Sequence, residues 1–537
     1  MGQPSFEASN ALVYVTYGVF LIMGTGVAWK FRNQSKGEFL AGNRTQTALP
    51  LALNFIASAL GSGILFAYPQ LATLAGVQGV VVYALSSALP LLIFAALGPI
   101  IRRKCPQGFV LTEWTRQRYG TVAALYLSFM SLVTLFLYMI SELSAIGQVV
   151  NLLTGIDGLP VLIVECVVTT IYTSVGGFKV SFFTDNIQGA MVMGLILIAT
   201  ITIGVETKID TSLIESSGLT KPSLLGWQLL YILPVAILTN DFFLSHFWLR
   251  TFASKTDRDL WLGISGAVVG VLVIVTLVGS TGLIAAWAGL WPGPEDALVD
   301  GSVAFFALLM QLPNWVVGVV VVMAVTLSTA AFDSFQSAMV TSASNDLFRN
   351  KLNIWWIRAG VVLVMIPVVV IAIQAPSILQ IYLISDLVSA ATIPVLVIGL
   401  SDKCYWWRGF EVVVGGLGGL FTVFLFGTVY YGDAKLGAEL MLLQQGLYTA
   451  DWGAFGAFVA APVGGILWGF GALGLRLGIQ YVKARAKGER FTGLDRPVEF
   501  GGPQLSEVDD RTDQGLRDDL ESTSDAPGIA KSTGKFF

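Results

Sequence analysis

The sequence predicts an all-α polytopic membrane protein with about 13 transmembrane helices. Three observations predict this fold class. Of the 537 residues, 55% are apolar and only 12% are charged, whereas soluble domains carry about 25% charged residues. Apolar stretches of about 20 residues, the length of a membrane-crossing helix, recur along the whole chain. Lys and Arg residues concentrate in alternate loops between these stretches.

Thirteen apolar segments are candidates for the membrane helices, and they are numbered here span 0 to span 12. In order, they cover residues 12–31, 48–68, 76–101, 121–152, 159–177, 186–205, 226–249, 260–288, 303–344, 355–373, 376–400, 410–430 and 452–481.

These spans divide the chain into six predicted regions. They are an outside N-terminus with the first span and a basic cytoplasmic loop (1–47), a first block of five helices (48–205), an external loop (206–225), a second block of five helices (226–400), two peripheral spans (401–488) and a disordered acidic cytoplasmic tail (489–537).

The distribution of basic residues predicts the orientation. With the N-terminus outside, the cytoplasmic loops and span ends contain 23 Lys and Arg residues, against three in the external loops, Lys208, Lys221 and Lys435. A wrongly placed span would move every later loop to the other side. We therefore expect a multi-pass plasma-membrane protein with an outside N-terminus and a cytoplasmic C-terminus, in contact with membrane lipid. The formal charge of −4 argues against nucleic-acid binding. The acidic tail could bind cytoplasmic partners.

Two spans are interrupted near their centres. Span 1 contains Gly61, Ser62 and Gly63, and span 6 contains Pro234 followed by the segment 239–241. The interrupted spans lie five apart, so each begins a block of five, and the second block must cross the membrane in the opposite sense. This pattern is typical of inverted-repeat secondary transporters, whose site lies at the membrane midplane. The alternative, that the glycines only permit close helix packing, stays open.

Four segments carry a resemblance to a known family. They are RRKCPQGFVLTEWTRQRYG (102–120), YTSVGGFKVSFFTDNIQG (172–189), HFWLRTFASKTDRD (246–259) and MAVTLSTAAFDS (323–334). Together they resemble the sodium/solute symporter family, and the first two are most similar to its eukaryotic urea/polyamine branch. The resemblance implies a LeuT-type fold of five plus five inverted repeats and cation-coupled import of a small polar solute, urea or a polyamine, by alternating access.

The resemblance also implies a cation site between spans 1 and 8, for Na⁺ or alternatively H⁺. Its ligands would be oxygens of Ala57, Leu60, Val325, Ser328 and Thr329. Carbonyl and hydroxyl oxygens suit a hard cation that must be released again. Counting back from Asp346 instead puts the hydroxyl positions at Ala330 and Ala331. Both a two-residue insertion and a degraded sodium site therefore stay open.

Acidic residues inside spans are costly and suggest function. Asp333 lies four residues beyond Thr329, on the same helical face, and is a candidate proton or sodium partner. At the interruptions, the predicted substrate contacts are Ser62, Gly63, Asn240, Asp241 and Asp386. By resemblance, Asp185 would relay the ion to the cytoplasm. Glu142 and Glu165 have weaker claims, because no interruption lies beside them in spans 3 and 4.

Other functions fit the same sequence. One is a proton-coupled transporter of another nutrient, such as an amino acid or a choline-like amine, which would use Asp333 or Asp386. Another is a nutrient sensor that does not transport and signals through its tail. The sequence contains no nucleophile–base constellation and only one histidine, so we expect neither an enzyme nor a bound cofactor or resident metal.

Overall fold

The computed structural model describes residues 2–31, 42–106, 108, 110–293, 299–349, 351, 353–374, 377–444, 451–495 and 536–537. Within these ranges the chain is helical and its only β-type pairing is a single bridge between Gln46 and Ser254. Most of the predicted acidic tail lies outside the described residues. The all-α prediction is confirmed.

Ten helices of the described chain are long and apolar enough to cross a membrane. They are Phe6–Lys30, Ile64–Lys104, Thr121–Thr154, Gly158–Glu206, Leu224–Phe243, Asp257–Trp287, Asn314–Leu347, Ile378–Leu400, Gly409–Tyr431 and Gly453–Lys487. Shorter helices include Ala48–Ala59, Leu111–Tyr119, Thr211–Ser216, Ser245–Ala253, Ala304–Leu309, Ile354–Ile373 and Ala434–Met441.

The ten long helices correspond to twelve of the thirteen predicted spans, because two of them each contain two spans divided at a glycine. Gly76 (φ 61°, ψ −152°) interrupts Ile64–Lys104 between spans 1 and 2, and Gly177 (φ 63°, ψ −157°) interrupts Gly158–Glu206 between spans 4 and 5. This backbone region is essentially restricted to glycine. Span 1 is then completed by Ala48–Ala59, and span 9 corresponds to the helix Ile354–Ile373.

Span 1 breaks where the sequence predicts. Its first helix ends at Ala59, Leu60 is extended (φ −121°, ψ 117°), and helix resumes at Ile64. The break includes Gly61, Ser62 and Gly63, so this prediction is confirmed.

The break in span 6 lies a few residues beyond the predicted position. The helix Leu224–Phe243 continues through Pro234, Asn240 and Asp241, and only Leu244 is extended (φ −74°, ψ 115°) before Ser245–Ala253 begins. The indole N–H of Trp248 donates to the Phe242 carbonyl at 2.7 Å. This bond satisfies one of the carbonyls that the break leaves without a helical partner.

Candidate functional site

A cavity of about 100 Å³ lies between the two broken helices. Spans 1, 2, 3, 6, 8 and 10 all contribute to its wall. The break in span 1 supplies Gly61, and the end of the first span 6 helix supplies Asn240 and Asp241. Irregular backbone at membrane depth is tolerated where it lines a cavity, and both breaks do so here.

The wall of the cavity is acidic and aromatic. It includes three carboxylates, Glu142, Asp241 and Asp386, and none of the described lining residues is Lys or Arg. Four tyrosines also line it, Tyr68, Tyr83, Tyr138 and Tyr382, and the other polar lining residues are Ser58, Ser87, Asn240 and His246. The Tyr68 and Tyr83 rings stack with centroids 3.8 Å apart, and those of Tyr138 and Tyr382 are 5.1 Å apart. Carboxylates and aromatic faces both attract organic cations.

Three of the five predicted substrate contacts line this cavity: Asn240, Asp241 and Asp386. Asn240 is held in place, because its amide donates to the Tyr138 hydroxyl and its carbonyl oxygen accepts from Ser385 at 3.4 Å. Gly63 lies against the hydroxyl of Tyr382, where a side chain would not fit. The structure thus brings the predicted residues together, while their contact with substrate stays a prediction.

Ser62 faces Glu142. Its backbone N–H and its hydroxyl both donate to the Oε1 atom of Glu142, each at 2.6 Å. Glu142 also lies so close to Gly61 that a Cβ at that position would overlap its carboxylate. Glu142 could not be favoured from the sequence, because its own span is uninterrupted and the break that it contacts is 80 residues away.

The predicted cation ligands lie at the break in span 1 and in the middle of the span 8 helix Asn314–Ser342. Ala57 and Leu60 are buried, and the helix end at Leu60 leaves the preceding carbonyls without helical partners. The Thr329 hydroxyl donates to the Val325 carbonyl at 2.6 Å, and the Ser328 hydroxyl donates to Oε1 of Glu165 at 2.6 Å. A hydroxyl that donates in this way keeps its lone pairs for a cation.

Asp346, from which the second register of span 8 is counted, lies within an irregular turn. Residues Ala343–Leu347 form a π-helical turn directly after the helix that carries Ser328 and Thr329. A π-helical turn accommodates an extra residue. Counting back from Asp346 at regular helical spacing to Ala330 and Ala331 is therefore unreliable in this chain, and which register holds the cation stays a prediction.

Asp333 and Asp185 lie in one buried polar cluster. Asp333 accepts hydrogen bonds from Tyr172 at 2.7 Å, Ser181 at 2.8 Å and Thr184 at 3.3 Å. Asp333 does not line the cavity described above. Its role as a proton or sodium partner stays a prediction.

Arg250 is the unexpected member of this cluster. The sequence assigns it to a cytoplasmic span end, but it is 1% exposed and pairs with Asp185 at 2.6 Å and Ser334 at 2.7 Å. Asp185 is fully buried as well, and its ion pair with Arg250 holds it there, while its role as an ion relay stays a prediction. The pair could not be predicted from the sequence, because its members are 65 residues apart.

Two blocks of five helices, each opening with a broken helix at a shared polar cavity, define a secondary active transporter. A model of the sodium:solute symporter family matches residues 39–409. The chain is 52% identical over 502 residues, 93% of its length and 95% of the relative's, to the spermidine transporter DUR31 of Candida albicans. It is 27% identical over 225 residues, 39% of its length and 33% of the relative's, to the probable urea active transporter 1 of Schizosaccharomyces pombe.

The fold has a counterpart among solved structures. A Na⁺-coupled sialic acid symporter in a substrate-bound outward-open state superimposes with a TM-score of 0.65 at 14% identity, over 86% of this chain and 97% of that one. The LeuT-type fold is thereby confirmed. The chain belongs to the sodium:solute symporter family. It is a cation-coupled membrane transporter and not an enzyme.

Proposed function

We propose that this protein imports a polyamine across the plasma membrane, driven by a cation that is carried in the same direction. The observation that carries the proposal is the cavity with three carboxylates and no Lys or Arg among its described lining residues. A relative 52% identical to this chain is a spermidine transporter.

The charge of the cavity favours a polyamine over urea. Asp241 and Asp386 are 9% and 5% exposed, and neither forms an ion pair within the described part of the chain. Buried carboxylates without a counter-charge are costly. A substrate with several ammonium groups supplies that charge, and the tyrosine rings stabilise its cationic stem. Urea is neutral and would leave the carboxylates uncompensated.

The coupling ion in this proposal is sodium, in accordance with the family. It binds the carbonyl oxygens of Ala57, Leu60 and Val325 and the hydroxyls of Ser328 and Thr329. An ion held between span 1 and span 8 stabilises whichever conformation brings these spans together. It therefore shifts the alternating-access equilibrium by its differential affinity for the two states. Asp185 and its partner Arg250 close the cytoplasmic end until the ion leaves.

Uptake of labelled spermidine and of labelled urea, measured in cells that lack their own carriers, tests the substrate. We expect saturable spermidine uptake that unlabelled urea does not inhibit. Urea uptake without spermidine uptake would refute the polyamine assignment and leave the family assignment standing.

Replacement of external sodium in the same cells tests the ion. We expect the Ser328→Ala/Thr329→Ala variant to lose the sodium dependence of spermidine uptake, because two of the five oxygens are removed. Asp333→Asn serves as the comparison. If only Asp333→Asn changes the sodium dependence, the site lies at the Asp333 cluster and not at the hydroxyl pair.

A further inference from the structure

A second cavity, of about 250 Å³, lies at the predicted cytoplasmic end of the molecule. Its described lining residues include four cations, Arg44, Arg102, Arg103 and Lys255, and a single carboxylate, Asp257. We call this cavity the basic pocket. Its charge is opposite to that of the transport cavity between the broken helices, whose described lining residues include three carboxylates and no Lys or Arg. The two cavities therefore suit ligands of opposite charge.

The basic pocket is assembled from three separate segments of the chain. Arg44 lies just before span 1, Arg102 and Arg103 lie in the last turn of the span 2 helix, and Lys255 lies between spans 6 and 7. The positive-inside rule explains why each of these segments is basic. It does not explain why their side chains converge on one cavity, which is a property of the fold.

Hydrogen bonds fix the backbone around the basic pocket. The Lys255 N–H donates to the Gln46 carbonyl at 2.7 Å. The Arg102 side chain, in a residue only 7% exposed, donates to the Ser254 hydroxyl. These bonds tie the segment that enters span 1 and the end of span 2 to the segment that leaves span 6. The pocket is therefore already formed before any ligand arrives.

Most of the positive charge in the basic pocket is uncompensated. Arg44, Arg103 and Lys255 are exposed, and none of them is within ion-pair distance of a carboxylate in the part of the chain that the structure describes. Arg102 lies 3.8 Å from Asp257, whose side chain is 54% exposed, and it is repelled by Arg44. Like charges that converge on one cavity repel each other. A bound anion removes that repulsion.

The donors and the charge of the basic pocket suit a phosphorylated ligand. Each of its three guanidinium groups presents N–H donors in a planar fork, which can bind two phosphate oxygens at once. The cations outnumber the carboxylate by three, so the matching ligand carries several negative charges. A phosphomonoester group carries about −1.5 to −2 near neutral pH. Two such groups balance the pocket, whereas a single carboxylate does not.

The depth of the basic pocket indicates where such a ligand comes from. Pro99, which lines the pocket, lies inside the apolar part of span 2, and Arg102 and Arg103 lie just beyond it. The pocket is therefore placed where the hydrocarbon core ends and the lipid head groups begin. Basic pockets at this level attract anionic lipid head groups of the cytoplasmic leaflet. We propose that the basic pocket binds a multiply phosphorylated anion, supplied as the head group of a phosphoinositide in that leaflet.

A ligand in the basic pocket acts on both broken helices. It contacts the segment that enters span 1, the end of span 2 and the segment that leaves span 6. Spans 1 and 6 carry the breaks that line the transport cavity. The bound anion therefore stabilises the arrangement of their inner ends seen here, and shifts the conformational equilibrium toward it. This inference goes beyond the proposed function and does not depend on which substrate is carried.

Binding of fluorescent dioctanoyl phosphatidylinositol bisphosphate to the purified full-length protein tests the site. We expect saturable binding that weakens on the order of 100-fold in the variant Arg44→Gln/Arg103→Gln/Lys255→Gln, because each basic residue contributes roughly fivefold. These side chains are exposed, so their replacement should leave the melting temperature without lipid unchanged. With lipid, the melting temperature should rise in the wild type and not in the variant.

A matched variant separates the pocket from general attraction to a basic surface. Lys483→Gln/Arg485→Gln/Lys487→Gln removes the same charge from exposed positions at the end of the last helix, and it should bind the lipid as the wild type does. Asp257→Asn should bind it several-fold more tightly, a gain that misfolding cannot produce. Equal losses in the two triple variants, or no saturable binding to the wild type, would overturn the proposal.

Competition distinguishes the two sources of the phosphate groups. Inositol trisphosphate carries a similar phosphorylated ring without the acyl chains, and inorganic phosphate serves as the minimal anion. We expect the lipid to bind more tightly than either, because its chains stay in the hydrocarbon beside Pro99. If inositol trisphosphate binds the wild type as tightly as the lipid and the pocket variant more weakly, the phosphate site stands and its ligand comes from solution. Equal binding of inositol trisphosphate and of the lipid to the wild type and to the pocket variant would overturn the site.

Discussion

Substitutions of Asp241 and Asp386 test the polyamine proposal most directly. We expect Asp241→Asn and Asp386→Asn each to raise the KM for spermidine. A charged hydrogen bond contributes about 1.5–3 kcal/mol, so the increase should be roughly 10- to 100-fold. Labelled uptake over a range of concentrations measures it. Unchanged KM values in both variants would remove these carboxylates from the site, and Glu215→Gln, far from the cavity, should behave as wild type.

Arg250 allows a comparison between a buried and an exposed ion pair. Arg250→Met leaves Asp185 buried without its partner and should lower the free energy of unfolding by about 3–5 kcal/mol. Lys435→Ala removes the partner of Glu439 in a pair 3.8 Å apart, in which the lysine side chain is 84% exposed, and should cost about 0–1 kcal/mol. Thermal unfolding of the detergent-solubilised protein compares the two.

The double variant Arg250→Met/Asp185→Leu separates charge from packing. Replacing a whole buried pair by apolar residues is often neutral, so we expect the double variant to regain most of the thermal stability that Arg250→Met loses. If it stays as unstable as the single variant, the loss comes from packing or from the bond to Ser334.

At the scale of the helix, local sequence explains some elements and not others. The break in span 1 was predictable because Gly61 and Gly63 weaken the helix locally. The break in span 6 was predicted too early, because Pro234 is accommodated within the helix, and a carbonyl at the turn is bonded by Trp248, a residue beyond the break. Glu142 could not be ranked from the sequence, since its importance comes from a helix 80 residues away.

Gly76 forms the turn between spans 1 and 2 at a backbone position that other residues rarely adopt. A Cβ there would collide with the Leu219 carbonyl, which also accepts the N–H of Val77 at 2.9 Å. We expect Gly76→Ala to cost at least about 1–3 kcal/mol in stability from the backbone alone. Gly155 has φ 72° and ψ 5°, with open space around its Cβ direction.

Gly155→Ala is therefore the matched control for Gly76→Ala. It keeps the positive φ but lacks the collision, so it should cost about 1–2 kcal/mol. Melting temperatures of the two solubilised variants, with the expression level of folded protein, measure the difference. Equal losses of stability in the two variants would mean that the loop around Leu219 moves away from the new Cβ at Gly76 without cost. Only the backbone strain at the positive φ would then lower the stability.

Over the whole molecule, the loops sort to two ends in the way that the charge pattern predicts. Three hydrogen-bonded pairs join predicted external loops to the external ends of predicted spans: Leu219 with Val77, Asp210 with Trp287 and Asp451 with Gln228. Predicted cytoplasmic residues are paired in the same way: Gln46 with Lys255, Thr112 with Asp346 and Lys104 with Asp402. The sequence could therefore predict which loops lie on the same side of the membrane, because the Lys and Arg content of each loop indicates its side independently of the other loops.

The absolute orientation is tested by labelling with a membrane-impermeant maleimide on intact cells. We expect Lys435→Cys to react, and Lys487→Cys, at the other end, to react only after the cells are permeabilised. Both positions are exposed. The opposite pattern would reverse the orientation, and with it the proposed placement of the Asp185–Arg250 pair at the cytoplasmic end.

The native thiols permit this experiment with one substitution. Burial raises the pKa of the Cys105 thiol to about 11, so it stays protonated and unreactive at neutral pH, where only the thiolate attacks a maleimide. Cys166 is buried in span 4, and Cys404 is partly exposed. A Cys404→Ser background should therefore show no labelling before or after permeabilisation. Labelling in that background would mean that the cytoplasmic segment around Cys105 opens during the transport cycle, in which case addition of spermidine should change the rate.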